Sequence, residues 1–197
     1  MRKSIHSTRF ARSGQVISSS PLQTKSIAKA LAKTLLESQQ KKGATVVALA
    51  GELGSGKTMF TQGFAKGLGV RGHVLSPTFL IIKEYEISSL DSRRGGRNTT
   101  QSYDGSPHRM IGAKSETNTK YKIQNTKYFY HIDCYRLGNP AKELLRLGFK
   151  KIIADPHAIV VVEWADRIKS IIPKDTLWLT FSHGGQNQRT ITIKRDV

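Results

Sequence analysis

The sequence has little of what several functional classes require. It holds one cysteine, Cys134, in 197 residues. No intrachain disulfide can form, which suits a reducing compartment and a cytoplasmic location. No apolar run approaches the roughly 18 residues that would span a bilayer, so no membrane role is expected. No secretory hydrophobic region is present, no His/Cys group has zinc spacing, and Cys134 has no evident partner for nucleophilic chemistry. Acid is scarce: 32 Lys and Arg against 14 Asp and Glu give a net charge of +18. None of those acids precedes Glu37.

A positive field of this size attracts polyanions such as nucleic acid, although scattered charge without a recognisable RNA-binding motif also describes a well-solvated surface. Residues 1–17 are expected to form a disordered basic tail; an Arg- and Ser-rich transit peptide is the other reading. Residues 88–127 form a second biased stretch. They are rich in Gly, Ser, Thr and Asn, with Lys and Arg outnumbering Asp and Glu by eight to three. Such a segment buries too little to offset its ordering entropy, so it reads as a mobile insertion. It interrupts a single domain spanning 18–197.

What is present alternates between strand and helix signals. Ser20-Pro21 opens a helix with a hydroxyl cap and a proline at the first helical position, and Ile27, Leu31 and Leu35 give it an apolar stripe. The helix is expected to end near Gln40. Val46–Ala50 reads as a strand buried on both faces. A second helix begins at Lys57. Strands are expected at Phe79–Ile87, Tyr128–Asp133 and Ala158–Trp164. Helices are expected after Asn139-Pro140, stopped by Gly148, and over Asp166–Ile172. Thr176–Phe181 and Arg189–Lys194 close the chain as a hairpin. The expected fold is α/β: a mostly parallel sheet flanked by helices, with an antiparallel C-terminal edge.

The strongest chemical signal is Gly51-Glu52-Leu53-Gly54-Ser55-Gly56-Lys57-Thr58, which fits G-x-x-x-x-G-K-[ST] between a buried strand and a helix. Glycines let the loop turn its N–H groups inward around an anion, and the helix start adds its positive dipole end. In this P-loop arrangement Lys57 would reach the β- and γ-phosphates, and the Thr58 hydroxyl would bind Mg²⁺. A P-loop also needs a strand-end acid near the metal. Asp133 and Glu163 both stand at such positions, where a helix cap or a plain surface acid is the alternative. Ser76-Pro77-Thr78 is either a γ-phosphate-sensing segment or a proline turn, and spacing does not choose. His131 shares a face with Asp133 and reads as a packed or supporting residue rather than a catalytic base.

In order, the P-loop, Ser76-Pro77-Thr78-Phe79, His131-Ile132-Asp133-Cys134-Tyr135-Arg136-Leu137 and Val162-Glu163-Trp164-Ala165-Asp166 resemble the signature segments of the TsaE family. The likeness covers about 18–87 and 128–197. It implies an ATP- and Mg²⁺-dependent ATPase, weak alone. Its activity would reset a TsaB–TsaD complex that places threonylcarbamoyl on adenosine 37 of tRNA, with tRNA contacted through that complex. By the same resemblance Lys57 binds phosphate, Thr58 and Glu163 hold the metal, Asp133 sits at the metal or its water, and Thr78 faces the γ-phosphate. Trp164 would lie beside the nucleotide or simply pack in the core, and Ser20 and Arg189 would flank the base.

Departures are Met59 where the family has a second threonine, Ser55 for a usual alanine, the insertion, and extra basic residues over Lys142–Lys151. They bear on partner geometry more than on phosphate binding. Two rivals remain. A small-molecule or nucleotide kinase shares the P-loop and would carry an Arg-rich lid; the insertion holds Arg93, Arg94 and Arg97, but its composition reads as disordered rather than as a lid. A nucleotide-gated RNA-binding or scaffold protein would use the basic segments. A GTPase is disfavoured because no N-K-x-D segment occurs.

Overall fold

A computed structural model of the chain describes residues 13–37, 42–77, 80–87, 128–185 and 188–195. The insertion 88–127 and Thr78 lie outside the described residues. The elements run β1 (Ser13–Ser18), α1 (Pro21–Glu37), β2 (Thr45–Gly51), α2 (Lys57–Leu68), β3 (Ile82–Glu86), β4 (Tyr128–Asp133), α3 (Pro140–Arg146), α4 (Phe149–Ala154), β5 (Ala158–Glu163), a 3₁₀ segment Ala165–Ile171, β6 (Leu177–His183) and β7 (Arg189–Arg195).

The seven strands form one sheet in the order β1-β7-β6-β2-β5-β4-β3. The four central strands β6-β2-β5-β4 are parallel. The expected C-terminal hairpin forms the antiparallel β6–β7 margin, and β3 adds an antiparallel margin on the other side.

The tail expected over 1–17 needs correcting at its end. Residues 13–17 belong to β1, which pairs antiparallel with β7. Its sequence, Ser-Gly-Gln-Val-Ile-Ser, carries almost no apolar alternation, because an edge strand can be held by backbone hydrogen bonds with most side chains in solvent. Residues 1–12 lie outside the described residues. Ser20 caps α1 as expected, its hydroxyl accepting from the Gln23 amide at 3.1 Å.

Strand alternation builds two cores. On one face Val47 and Leu49 of β2, Phe129 of β4 and Ile159 and Val161 of β5 pack with Leu31, Phe60, Phe64 and Leu68 of α1 and α2. On the other, Val46, Ala48, Ile132, Val160 and Val162 pack with Leu144, Phe149 and Ile168. The α1–α2 contact is close because Gly63 and Gly67 lie against the backbone of Lys25 and Lys29; a Cβ on Gly63 would sit 2.5 Å from the Lys25 carbonyl oxygen. The same alternation has a functional consequence. His131, Asp133 and Glu163 share the parity of Phe129, Ile159 and Val161, so all three face α2.

Candidate functional site

The loop 51–56 joins β2 to α2 at the carboxyl end of the parallel strands, where open α/β sheets bind ligands. Gly51 has φ 134° and Gly56 has φ 102°, a region that side chains disfavour. Space is also tight at both: a Cβ on Gly51 would lie 2.3 Å from the Phe181 carbonyl oxygen, and one on Gly56 would lie 2.8 Å from Arg189 Nε. Backbone conformation therefore requires glycine at both positions; at Gly51 the Phe181 backbone also leaves no room, whereas at Gly56 the near atoms belong to the flexible Arg189 side chain.

Lys57 folds back over this loop. Its Nζ donates to the carbonyls of Gly51 at 2.7 Å and Glu52 at 2.8 Å, and lies 3.9 Å from the centre of the Trp164 ring. Only 5% of Lys57 is exposed. Burial lowers its pKa, against opposing attraction from Glu163, Asp166 and Asp133. The ammonium is thus a poorly solvated cation folded over the 51–56 loop.

Opposite the loop stand the two strand ends. Asp133 and Glu163 are register partners on neighbouring parallel strands. Glu163 Oε2 accepts from the Thr58 hydroxyl at 2.7 Å. Its Oε1 lies 2.8 Å from His131 Nε2 and accepts from the Thr61 hydroxyl at 3.1 Å. Asp133 Oδ2 accepts from the Ser76 hydroxyl at 2.7 Å, and Oδ1 from the Tyr135 amide at 3.0 Å.

Beyond Asp133 the chain turns, and Arg167 fastens that turn by donating to the carbonyls of Cys134, Tyr135 and Leu137. Trp164, immediately after Glu163, adopts φ 59°. That left-handed conformation is uncommon for a bulky residue and turns its ring toward Lys57 and the Tyr135 ring, 4.9 Å away.

These walls enclose a cavity of about 420 Å³. Of the residues expected from sequence, Leu53, Gly54, Gly56, Lys57, Thr58, Asp133, Glu163, Trp164 and Arg189 line it. Glu52 and Ser55 meet Lys57 through the Glu52 carbonyl and the Ser55 hydroxyl. Ser20 is not among the lining residues and instead caps α1. Met59, Ser76, Tyr135 and Arg136 also line the cavity. Sequence reasoning did not single out Thr61 or Arg167. Thr61 was findable, because it lies one helical turn beyond Thr58 on the same face; nothing in the pattern marked Arg167.

The donors suit a particular kind of cation. Among the described residues no group of three or more His, Cys, Asp or Glu could hold a metal by itself. The hydroxyl of Thr58 and the carboxylates of Glu163 and Asp133 are hard oxygen ligands, few in number, matching an ion that completes its shell from phosphate and water. Mg²⁺ in nucleotide sites binds in that way. Among the described residues no helix is long and apolar enough to cross a membrane.

A sequence model of the family described as "Threonylcarbamoyl adenosine biosynthesis protein TsaE" matches residues 18–94 and 112–191. The tRNA threonylcarbamoyladenosine biosynthesis protein TsaE of Bacillus subtilis is 31% identical over 173 residues, covering 88% of this chain and 80% of that protein. Its Haemophilus influenzae counterpart is 29% identical over 74% of this chain and 67% of its own. The crystal structure of Bacillus subtilis YdiB superposes with a TM-score of 0.59 at 27% identity, covering 94% of this chain and 86% of that one. The stretch 95–111 that the family model passes over falls inside the insertion 88–127.

Proposed function

The chain belongs to the TsaE family, and from that premise we propose that it is a Mg²⁺-dependent ATP-binding protein and weak ATPase. It supports threonylcarbamoyl modification of adenosine 37 in tRNA, and its hydrolysis of ATP resets a TsaB–TsaD-like complex. Support for the first part is a single arrangement: the glycine loop and the Lys57-Thr58 helix start share one cavity with Asp133 and Glu163, and Thr58 bonds Glu163 directly. Support for the second is the family match and the names of the relatives.

In this reading the loop amides receive the phosphates, and Lys57 exchanges the loop carbonyls for phosphate oxygens. A phosphate would supply direct oxygen partners in place of the solvent that burial denies the ammonium. Trp164 shields that contact from water. Mg²⁺, held by the Thr58 hydroxyl with Glu163 and Asp133, would neutralise charge developing on the transferred phosphoryl group. Asp133, fixed by Ser76 and the Tyr135 amide, orients water at the edge of the site. Arg189, packed against Gly56, borders the space in which the rest of the nucleotide lies. Thr78 keeps its proposed place facing the γ-phosphate. A metal at this site is a matter of few protein ligands and several borrowed ones, so binding of metal and nucleotide should depend on each other.

The decisive experiment is steady-state ATP hydrolysis by the purified protein, alone and with a TsaB–TsaD pair, with and without tRNA. Slow turnover alone and a clear rise with the pair is the expected result. ATP turnover that ignores the pair and accelerates instead with a phosphoryl acceptor would replace this reading with a kinase.

A further inference from the structure

Glu163 is held more firmly than a carboxylate needs if its only task is to meet a metal. It is 2% exposed, and three side chains converge on it. Thr58 takes Oε2, while His131 and Thr61 both address Oε1. The two residues on Oε1 are fully buried, at 0% exposure each, and neither lines the cavity.

His131 is an expensive choice for its position. Its ring stacks at 6.5 Å on Phe129, on the side of the sheet filled by phenylalanines of α2. Its Nδ1 is buried with no hydrogen-bond partner among the described residues. Leaving a buried polar atom unsatisfied costs about 1–3 kcal/mol. A phenylalanine would fill the same space without that loss. What imidazole adds is one donor, Nε2–H, aimed at Glu163. Geometry also selects the tautomer: a hydrogen on Nδ1 would have no acceptor, whereas one on Nε2 has a carboxylate at 2.8 Å.

Thr61 repeats the logic from the helix side. Its hydroxyl reaches both the Lys57 carbonyl and Glu163 Oε1 at 3.1 Å. The single hydroxyl hydrogen can serve only one of them at a time; the carbonyl is already satisfied by the helix ladder, so of the two contacts that valine would remove, the one to Glu163 bears on the site.

We infer that His131 and Thr61 are positioning residues for Glu163. They occupy Oε1 from β4 and α2 so that Oε2 is presented to the Thr58 hydroxyl and to the Mg-nucleotide beside it. Supporting residues of this kind fix the direction of a ligand lone pair and contribute without touching substrate. The inference rests on the proposed role of Glu163 in hydrolysis, but its hydrogen-bonding content can be read in the protein without nucleotide.

Two measurements test it. The first is the ¹⁵N imidazole spectrum of the nucleotide-free protein, assigned with His131→Gln. The expected signature is a hydrogen on Nε2; a ring carrying its hydrogen on Nδ1 alone would overturn the assignment whatever the activity. The second is Mg-ATP turnover and nucleotide affinity for His131→Phe, His131→Gln, Thr61→Val and Thr61→Ser, each checked for an intact thermal transition. His131→Phe and Thr61→Val should lower kcat by about tenfold, with nucleotide affinity changed less than about twofold. Gln and Ser return a donor at the same place and should recover most of the loss. Equal kcat in the Phe and Gln variants, with the same pattern for Val and Ser, would mean packing rather than positioning and would overturn the inference. Wild-type protein that binds but never hydrolyses ATP, alone or with the TsaB–TsaD pair, would sink the ATPase reading instead. The spectrum would still decide whether His131 donates to Glu163.

Discussion

The two walls of the cavity are built by different physics. The loop wall, 51–58, is made by backbone conformation: glycines at positive φ and a lysine folded over the loop's own carbonyls. The strand-end wall, 133–135 with 163 and 164, is made by side chains: Asp133 and Glu163 held by Ser76, Thr58, Thr61 and His131, and a turn fastened by Arg167. A backbone wall tolerates almost no change at its glycines but does not depend on side-chain identity at Glu52 or Leu53. A side-chain wall can lose one contact and keep its shape. Substitutions should therefore separate the two, with failure of folding or binding on one side and failure of chemistry on the other.

The largest effect is expected at Gly51. In Gly51→Ala the new Cβ meets the Phe181 carbonyl oxygen at 2.3 Å while the backbone holds φ 134°. Backbone strain and overpacking together should remove roughly 3 kcal/mol or more of stability, seen as a lowered midpoint in urea, and ATP binding should be lost with it. Lys57→Ala comes next and should spare the fold. Removing a buried cation whose partners are loop carbonyls leaves the thermal transition near wild type, while ATP affinity falls beyond detection in a fluorescence titration reporting on Trp164. Retained affinity would remove the phosphate assignment from the loop wall.

Across the cavity, Glu163→Ala should preserve most nucleotide affinity and abolish Mg-dependent turnover. Loss of one metal-directed carboxylate commonly costs on the order of 10²-fold or more in rate. Unchanged turnover would shift the metal role to Asp133 alone. Binding lost together with turnover would show that the two walls are not separable.

The same division explains what the sequence displayed. A backbone wall is written locally: glycine spacing, a buried strand before it and a helix after it occupy one short stretch, so its place and its lysine could be read directly. The strand-end acids were legible as positions, because alternation along β4 and β5 sets their face. Their partners were legible only in part: the family resemblance put Thr58 and Glu163 at one metal and alternation set His131 on the face of Asp133, but nothing tied Ser76 or Thr61 to either acid. Thr58 and Glu163 are 105 residues apart in sequence yet 2.7 Å apart in space, and no periodicity announces that pairing. Nor does any pattern mark Arg167, whose work is done on three carbonyls 30 to 33 residues earlier. Strand β1 escaped for a related reason, since its hydrogen bonds go to the far end of the chain and its side chains carry little apolar signal.

The smallest effect tests how tightly the strand-end wall is closed. Cys134 is fully buried between Asp133 and the Arg167-fastened turn. Burial, with Asp133 adding and Arg167 opposing, pushes its thiol up to about 12 from an ordinary 9.0. At pH 8 the thiolate fraction is then roughly 10⁻⁴, so iodoacetamide should leave native Cys134 unmodified and label it only after denaturation. The sign for stability follows from proton counts. Above pH 9 the unfolded chain releases the thiol proton while the folded chain keeps it, so stability falls as pH rises from about 9 toward 12. Cys134→Ala removes that contribution and should show a shallower decline over the same range. Arg167→Ala should instead open the turn, making Cys134 labelling faster in the native state while leaving the loop wall and its ATP affinity in place. Rapid labelling of the wild-type protein would mean that this wall is no stiffer than the solvent-facing surface around it, and the contrast between the two walls would fail.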